Sequence, residues 1–188
     1  MNPKYQLLAA QGKVFQASGA QAGTTIAAGH VAPPAAGAAT LLSLLNPMSS
    51  GVNLEVIQTT IGHVSGTPGA GTFTYCMAYQ GEAVTAAEAG AIKRSLYASQ
   101  KNTIAKAWAA ATLTGSIVHL VMAHVPSAPF AGALAATSEG TARSIVHDVD
   151  GMIVIPPGWM LTLAPAATGT THVVAVAITY AEVANGNC

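Results

Sequence analysis

Charge is what this sequence has least of: seven basic and seven acidic residues, 7% of the chain, where an ordinary globular domain carries roughly 25%. A free monomer needs charge to keep its surface wet and its copies apart, and a net charge of zero favours association. The deficit predicts that neighbouring subunits cover much of the surface, while Thr, Ser, Gln, Asn and Gly solvate the remainder. It also argues against nucleic acid as a partner, because no basic cluster exists beyond Lys93-Arg94 and a polyanion needs a concentrated basic face.

Cysteine is nearly absent as well. Cys76 and Cys188 form neither a disulfide framework nor a metal-ligand spacing. Long apolar runs are missing: Ala107 to Ser138 is free of charge, but Trp108 to Val125 is interrupted by Thr112, Thr114, Gly115, Ser116, His119 and His124. A membrane helix needs about 20 predominantly apolar residues, so no membrane partner is expected. Met1 to Gln16 carries Lys4 and Lys13 around a short apolar run, Leu7 to Ala10, which is not the pattern of a secretory leader. Assembly in the cytoplasm is the expectation.

The raw material for catalysis is thin, with six histidines and seven carboxylates scattered along the chain. The densest group is His147-Asp148-Val149-Asp150. On a strand His147 points away from Asp148, so the group reads as a strand end running into a turn at Asp150-Gly151. His119 and His124, five apart, fall on opposite faces of a strand. No nucleophile elbow, phosphate loop or paired-histidine zinc motif occurs. The chain is therefore expected to be neither an enzyme nor the holder of a metal or cofactor.

What the sequence does have is alternation. From Gly71 to Gln80 the positions Phe73, Tyr75, Met77 and Tyr79 alternate with Thr72, Thr74, Cys76 and Ala78, which is the period of a strand with one face in a core. From Val52 the apolar positions run Val52, Leu54, Val56 and then slip by one to Ile57, Thr59, Ile61. A change of phase inside one strand predicts a β-bulge. The Ser65–Gly71 loop, with Pro68 and three glycines, predicts a hairpin between these two strands. Gly151 to Ile155 and Trp159 to Leu163 flank Pro156-Pro157-Gly158, where proline's missing N–H predicts a corner or edge.

Further candidate strands are Lys13 to Ser18, Thr24 to Ala28, Ala38 to Leu45, Trp108 to Thr114, Ser116 to Val125, Ser144 to Val149 and His172 to Val183, about ten in all with the turn spacing of a sandwich. The predicted fold is all-β, an antiparallel β-sandwich or jelly roll in a single domain over 1–188, with 1–40 as a partly extended arm. Around 85–107 the capping-box spacing of Thr85 and Glu88, with Ile92 and Leu96 four apart, predicts a short helix or an irregular excursion.

In the last strand Val174, Val176, Ile178 and Tyr180 form a bulky face, and Ala175, Ala177 and Ala181 a small apolar one. A solvent-facing side should be polar, so Ala175, Ala177 and Ala181, together with Trp159, are the candidate subunit-interface residues. Trp159 and Tyr97 are also the exposed aromatics that a carbohydrate-binding module would use.

Two stretches resemble small virion proteins of tailed bacteriophages, of the jelly-roll head-decoration or fibre-like type: LLNPMSSGVNLEVIQTTIGHVSGTPGAGTFTY, Leu44 to Tyr75, and DGMIVIPPGWMLTLAPAATGTTHVVAVAITYAEV, Asp150 to Val183. They cover about a third of the chain. The resemblance implies a jelly roll, usually a homotrimer, attached to a capsid or tail surface and contacting virion proteins such as the major capsid protein. It carries over no functional residue. The alternatives are a carbohydrate- or receptor-binding sandwich and a cupin-like enzyme, the latter suggested by the Ile155-Pro-Pro-Gly turn alone, without the paired histidines of that family.

Overall fold

The computed structural model describes residues 2–19, 24–26, 40–65, 71–80, 92–96, 102–109, 124–126, 144–167 and 172–186. One helix opens the chain, α1 (Pro3–Ala10). Among the described residues eleven strands follow: β1 (Val14–Ser18), β2 (Thr24–Ile26), β3 (Leu42–Leu45), β4 (Val52–Ser65), β5 (Gly71–Tyr79), β6 (Ile92–Ser95), β7 (Lys106–Ala109), β8 (His124–Pro126), β9 (Ser144–Ile155), β10 (Trp159–Ala167) and β11 (His172–Ala184).

All pairings are antiparallel. They form two sheets, in the orders β6-β1-β11-β4-β9 and β7-β3-β10-β5-β8, with β2 paired to one end of β11. Without the short additions β2, β6 and β7, four strands in the order β1-β11-β4-β9 face four in the order β3-β10-β5-β8. This is the strand order of a jelly roll, two interlocked Greek keys.

Between the sheets the alternating residues of the long strands meet. Leu54, Val56 and Ile61 of β4 and Val174, Val176, Ile178 and Tyr180 of β11 pack towards Leu42 and Leu44 of β3, Phe73 and Tyr75 of β5, and Leu161 and Leu163 of β10, all buried in one cluster. Asn46 clamps the two sheets at one end. From the end of β3 its Nδ2 donates to the carbonyls of Val52 (2.7 Å) and Ile155 (2.8 Å), at the start of β4 and the end of β9.

The phase slip in β4 is a bulge. Against β11, Tyr180 pairs with Val56 and Thr179 with Gln58, so Ile57 is the extra residue. Leu54 and Val56 point into the sandwich before it, and Thr59 and Ile61 after it. Ile57 itself turns to the outer face, where it is buried with Val14, Ala181 and Tyr5 beneath α1. The helix starts where Asn2 accepts a hydrogen bond from the Lys4 N–H (3.1 Å) and Pro3 fills the first turn. It lays Tyr5, Leu8 and Ala9 on this patch. Lys4 and Glu55 pair at 2.7 Å across the same edge, and Tyr5 Oη donates to Glu55 (3.2 Å).

A second bulge sits opposite the first. Asp150 (φ 49°) and Gly151 (φ 82°) both adopt left-handed backbone, so the expected turn there is an irregularity within one continuous strand, β9. A Cβ on Gly151 would lie 1.8 Å from Tyr5 Oη. The glycine is needed twice, for its φ and for the room it leaves.

Several expectations differ from the structure. β4 and β5 are not a hairpin: β4 pairs with β11 and β9, β5 with β10 and β8, so 66–70 joins opposite sheets. The Pro156–Gly158 break is a corner, as expected, since β9 and β10 also lie in different sheets. Part of the predicted helix is strand, because Ile92–Ser95 pairs with β1 and Lys106–Ala109 with β3; 85–91 and 97–101 fall outside the described residues. In the segment read as an arm, α1 is docked and β1 lies between β6 and β11, while 27–39 falls outside.

Replacing Gly151 by Ala is expected to cost about 2–3 kcal/mol in denaturant unfolding, from left-handed strain and the Tyr5 clash together. Tyr5→Phe, which removes the clashing hydroxyl, should recover part of that loss in the double variant. Strictly additive costs would show that the two residues do not compete for this space.

A candidate binding face on the outer side of one sheet

The two outer faces of the sandwich are unlike. In the β3-containing sheet the outward residues Ser43, Leu45, Thr74, Cys76, Ala78, Trp108, Met160, Thr162 and Ala164 are buried within the chain itself. Three hydroxyls there form a chain, Thr40 to Ser43 at 2.8 Å and Ser43 to Thr162 at 3.1 Å, which satisfies polar atoms that no solvent reaches. That face is interior, and burial pushes the Cys76 thiol up from 9.0 to about 11.

The other sheet is open beyond α1. Register carries one lateral row across five of its six strands: Arg94 of β6, Gln16 of β1, Thr179 of β11, Gln58 of β4 and Asp148 of β9. Gln16 Nε2 donates to Thr179 Oγ1 (3.5 Å) and Gln58 Nε2 to Asp148 Oδ1 (2.7 Å). Gln16, Thr179, Gln58 and Asp148 of this row floor an open groove of about 460 Å3, walled by Asn2 at the head of α1, by Leu96 beyond β6 and by Asp150 on the β9 bulge, with Ile57 at its edge. The next row is small: Ser18, Ala177, Thr60 and the exposed Val146.

The candidate interface residues separate on this face. Ala181 is fully buried under α1, whereas Ala175 and Ala177 are half-buried, Ala177 lying between Ser18 and Thr60. Trp159 is elsewhere, half-buried at the start of β10, with its ring edge against Tyr79 at 5.9 Å. Tyr97 and His119 lie outside the described residues. Among the described residues no group of three His, Cys, Asp or Glu side chains could hold a metal ion.

His147 has a role that its sequence neighbours concealed. It faces the interior at the edge strand β9, and its Nδ1 shares a hydrogen bond with Tyr75 Oη at 2.9 Å, the two rings stacked at 5.7 Å. Tyr75 Oη also bonds the buried Thr59 hydroxyl. The trio pins β5 to β4 and β9 across the sandwich. Burial holds the Tyr75 phenol above its ordinary range, against an opposing pull from the Thr59 bond, so it is kept as a neutral, structural hydroxyl.

No known family model, curated protein or solved structure matches this chain. The residues themselves must carry the functional reading.

Tyr75→Phe should cost about 1–3 kcal/mol by denaturant unfolding, because it strands the buried Thr59 hydroxyl; a cost within error would show the trio contributes nothing. The alkaline limb should expose Tyr5 and Cys76. Burial, aided by the Glu55 carboxylate and its hydrogen bond and by Asp150, raises Tyr5 from 10.0 to about 12. A folded-state pKa above the unfolded one gives stability that is complete below the unfolded value and lost as pH rises through the folded one. For Cys76 the window is pH 9 to 11 and for Tyr5 pH 10 to 12. Denaturation midpoints should fall across these windows, less steeply in Tyr5→Phe at the upper end and in Cys76→Ala at the lower.

Proposed function

We propose that this protein is a structural subunit of a bacteriophage virion, a decoration or cement protein that assembles with copies of itself, as a trimer, on the particle surface. The carrying observation is the pairing of jelly-roll strand order with a small, uncharged patch on the outer face around Ala177. Around Ala177 that face presents Ser18, Thr60, Gly62 and Ala175, a smooth surface on which another subunit can approach closely. Small side chains lose little rotamer entropy when covered. The exposed Val146, Met152 and Val154 on the neighbouring strand β9 add apolar area whose burial is favourable.

The reading assigns no catalytic residue. Tyr75, Thr59 and His147 are bonded to each other between the sheets in a structural role, and Thr103 is bonded to Tyr180 and Glu182. Contacts with other virion proteins such as the major capsid protein follow from the same proposal, as does location in the particle. The strand order supports it only by analogy, since jelly rolls also serve lectins and enzymes.

Light scattering of the purified protein should return a multiple of 18.8 kDa, and a monomer at micromolar concentration would sink the proposal. Ala177→Glu separates assembly from folding. Ala177 is half-buried in the single chain, so the variant should melt within about 1 kcal/mol of the parent yet fail to associate, because a carboxylate would be trapped in a dry contact. An Ala177→Glu protein that assembles like the parent would remove this face from the interface.

A further inference from the structure

The groove at the N-terminal end of α1 combines polar groups and shape in a way that assembly does not require. We propose that it is a binding site for a neutral oligosaccharide. The row Gln16, Thr179, Gln58 and Asp148 crosses four neighbouring strands, so it extends about 14 Å at the spacing of hydrogen-bonded strands. That is a line of hydrogen-bonding groups longer than a single sugar ring.

Gln16, Gln58 and Asp148 have capacity left over. Gln16 and Gln58 use their amide N–H towards Thr179 and Asp148, which leaves both amide oxygens as acceptors, and Asp148 keeps a second carboxylate oxygen. Planar amides and carboxylates offer a donor or acceptor pair in one plane, the geometry that adjacent hydroxyls on a ring engage. Asn2 supplies another such group from the wall. The exposed Leu96 provides apolar surface for the C–H face of a ring.

The remaining chemistry selects among ligands. Gln16, Thr179 and Gln58 make the middle of the floor uncharged, and the carboxylates Asp148 and Asp150 at the β9 end disfavour an anionic ligand. A peptide strand would need free backbone groups, but β1, β11 and β4 are each paired on both sides. The volume, about 460 Å3, lies within the range of small-ligand sites. This inference goes beyond the virion reading and rests on separate residues, away from Trp159 and Tyr79.

The test is titration calorimetry of the parent protein with a panel of neutral di- and trisaccharides built on glucose, galactose, mannose and N-acetylglucosamine. At least one should bind with a Kd of about 1 mM or tighter, and Gln58→Ala and Asp148→Ala should each weaken it about tenfold or more. Tyr79→Ala, at the exposed aromatic corner, should leave the Kd within about twofold, and saturation-transfer spectra of the parent should show the bound rings independently of any variant. Absence of binding across the panel overturns the proposal. So does binding that survives both groove variants, that is lost in Tyr79→Ala instead, or that EDTA abolishes. None of these outcomes bears on the oligomeric state, so the two proposals fail separately.

Discussion

The fold depends on one extra residue. β4 must line the sandwich core along its whole length and also seat the N-terminal helix on its outer face, and a regular strand of period 2 cannot send adjacent residues both inward and outward as apolar groups. Ile57 resolves the conflict by stepping out of register: Val56 stays in the core and Ile57 joins Tyr5, Val14 and Ala181 under α1. The partner strand answers with the left-handed Asp150-Gly151, which clears the space that the Tyr5 hydroxyl occupies. Two irregularities, one on each strand, make a single seat, and the wall of the groove stands on it.

Polar atoms are treated differently on the two sides of the molecule. Between the sheets and behind the β3-containing sheet, hydroxyls and a histidine ring are bonded to each other, Thr59–Tyr75–His147 and Thr40–Ser43–Thr162. Such sets offset the loss of solvent and specify one packing. On the outer face beside α1 the amides and the carboxylate are only partly satisfied and face solvent. The contrast distinguishes groups that hold the protein together from groups available to a partner.

Much of this was legible from residue order. Alternation located β5, β10 and β11, and the slip from Val56 to Ile57 announced the bulge. Pairing was harder to read, because the loop chemistry of 65–71 says that the chain turns without saying into which sheet. β4 and β5 are close in sequence yet paired with distant strands. The docked helix was missed since Leu7, exposed on its far side, blurs the stripe of Tyr5, Leu8 and Ala9. Conversely, the four-residue spacing of Ile92 and Leu96 imitated a helix where Gln16 and Ala17 of β1 offered Ile92–Ser95 a strand edge. The lateral row had no sequence signal at all, because its five members lie as far apart as Gln16 and Thr179 and only register aligns them.

The pairing of β1 with β11 has a mechanical consequence. Val14, where the chain enters the sandwich, sits opposite Ala181, near where it leaves, so both ends emerge on the same side of one ladder. Tension applied between them would load the rungs in sequence, beginning at Val14–Ala181, and would unzip the ladder instead of shearing it. Tension between one end and the far edge of the groove-bearing sheet would act across several strands at once.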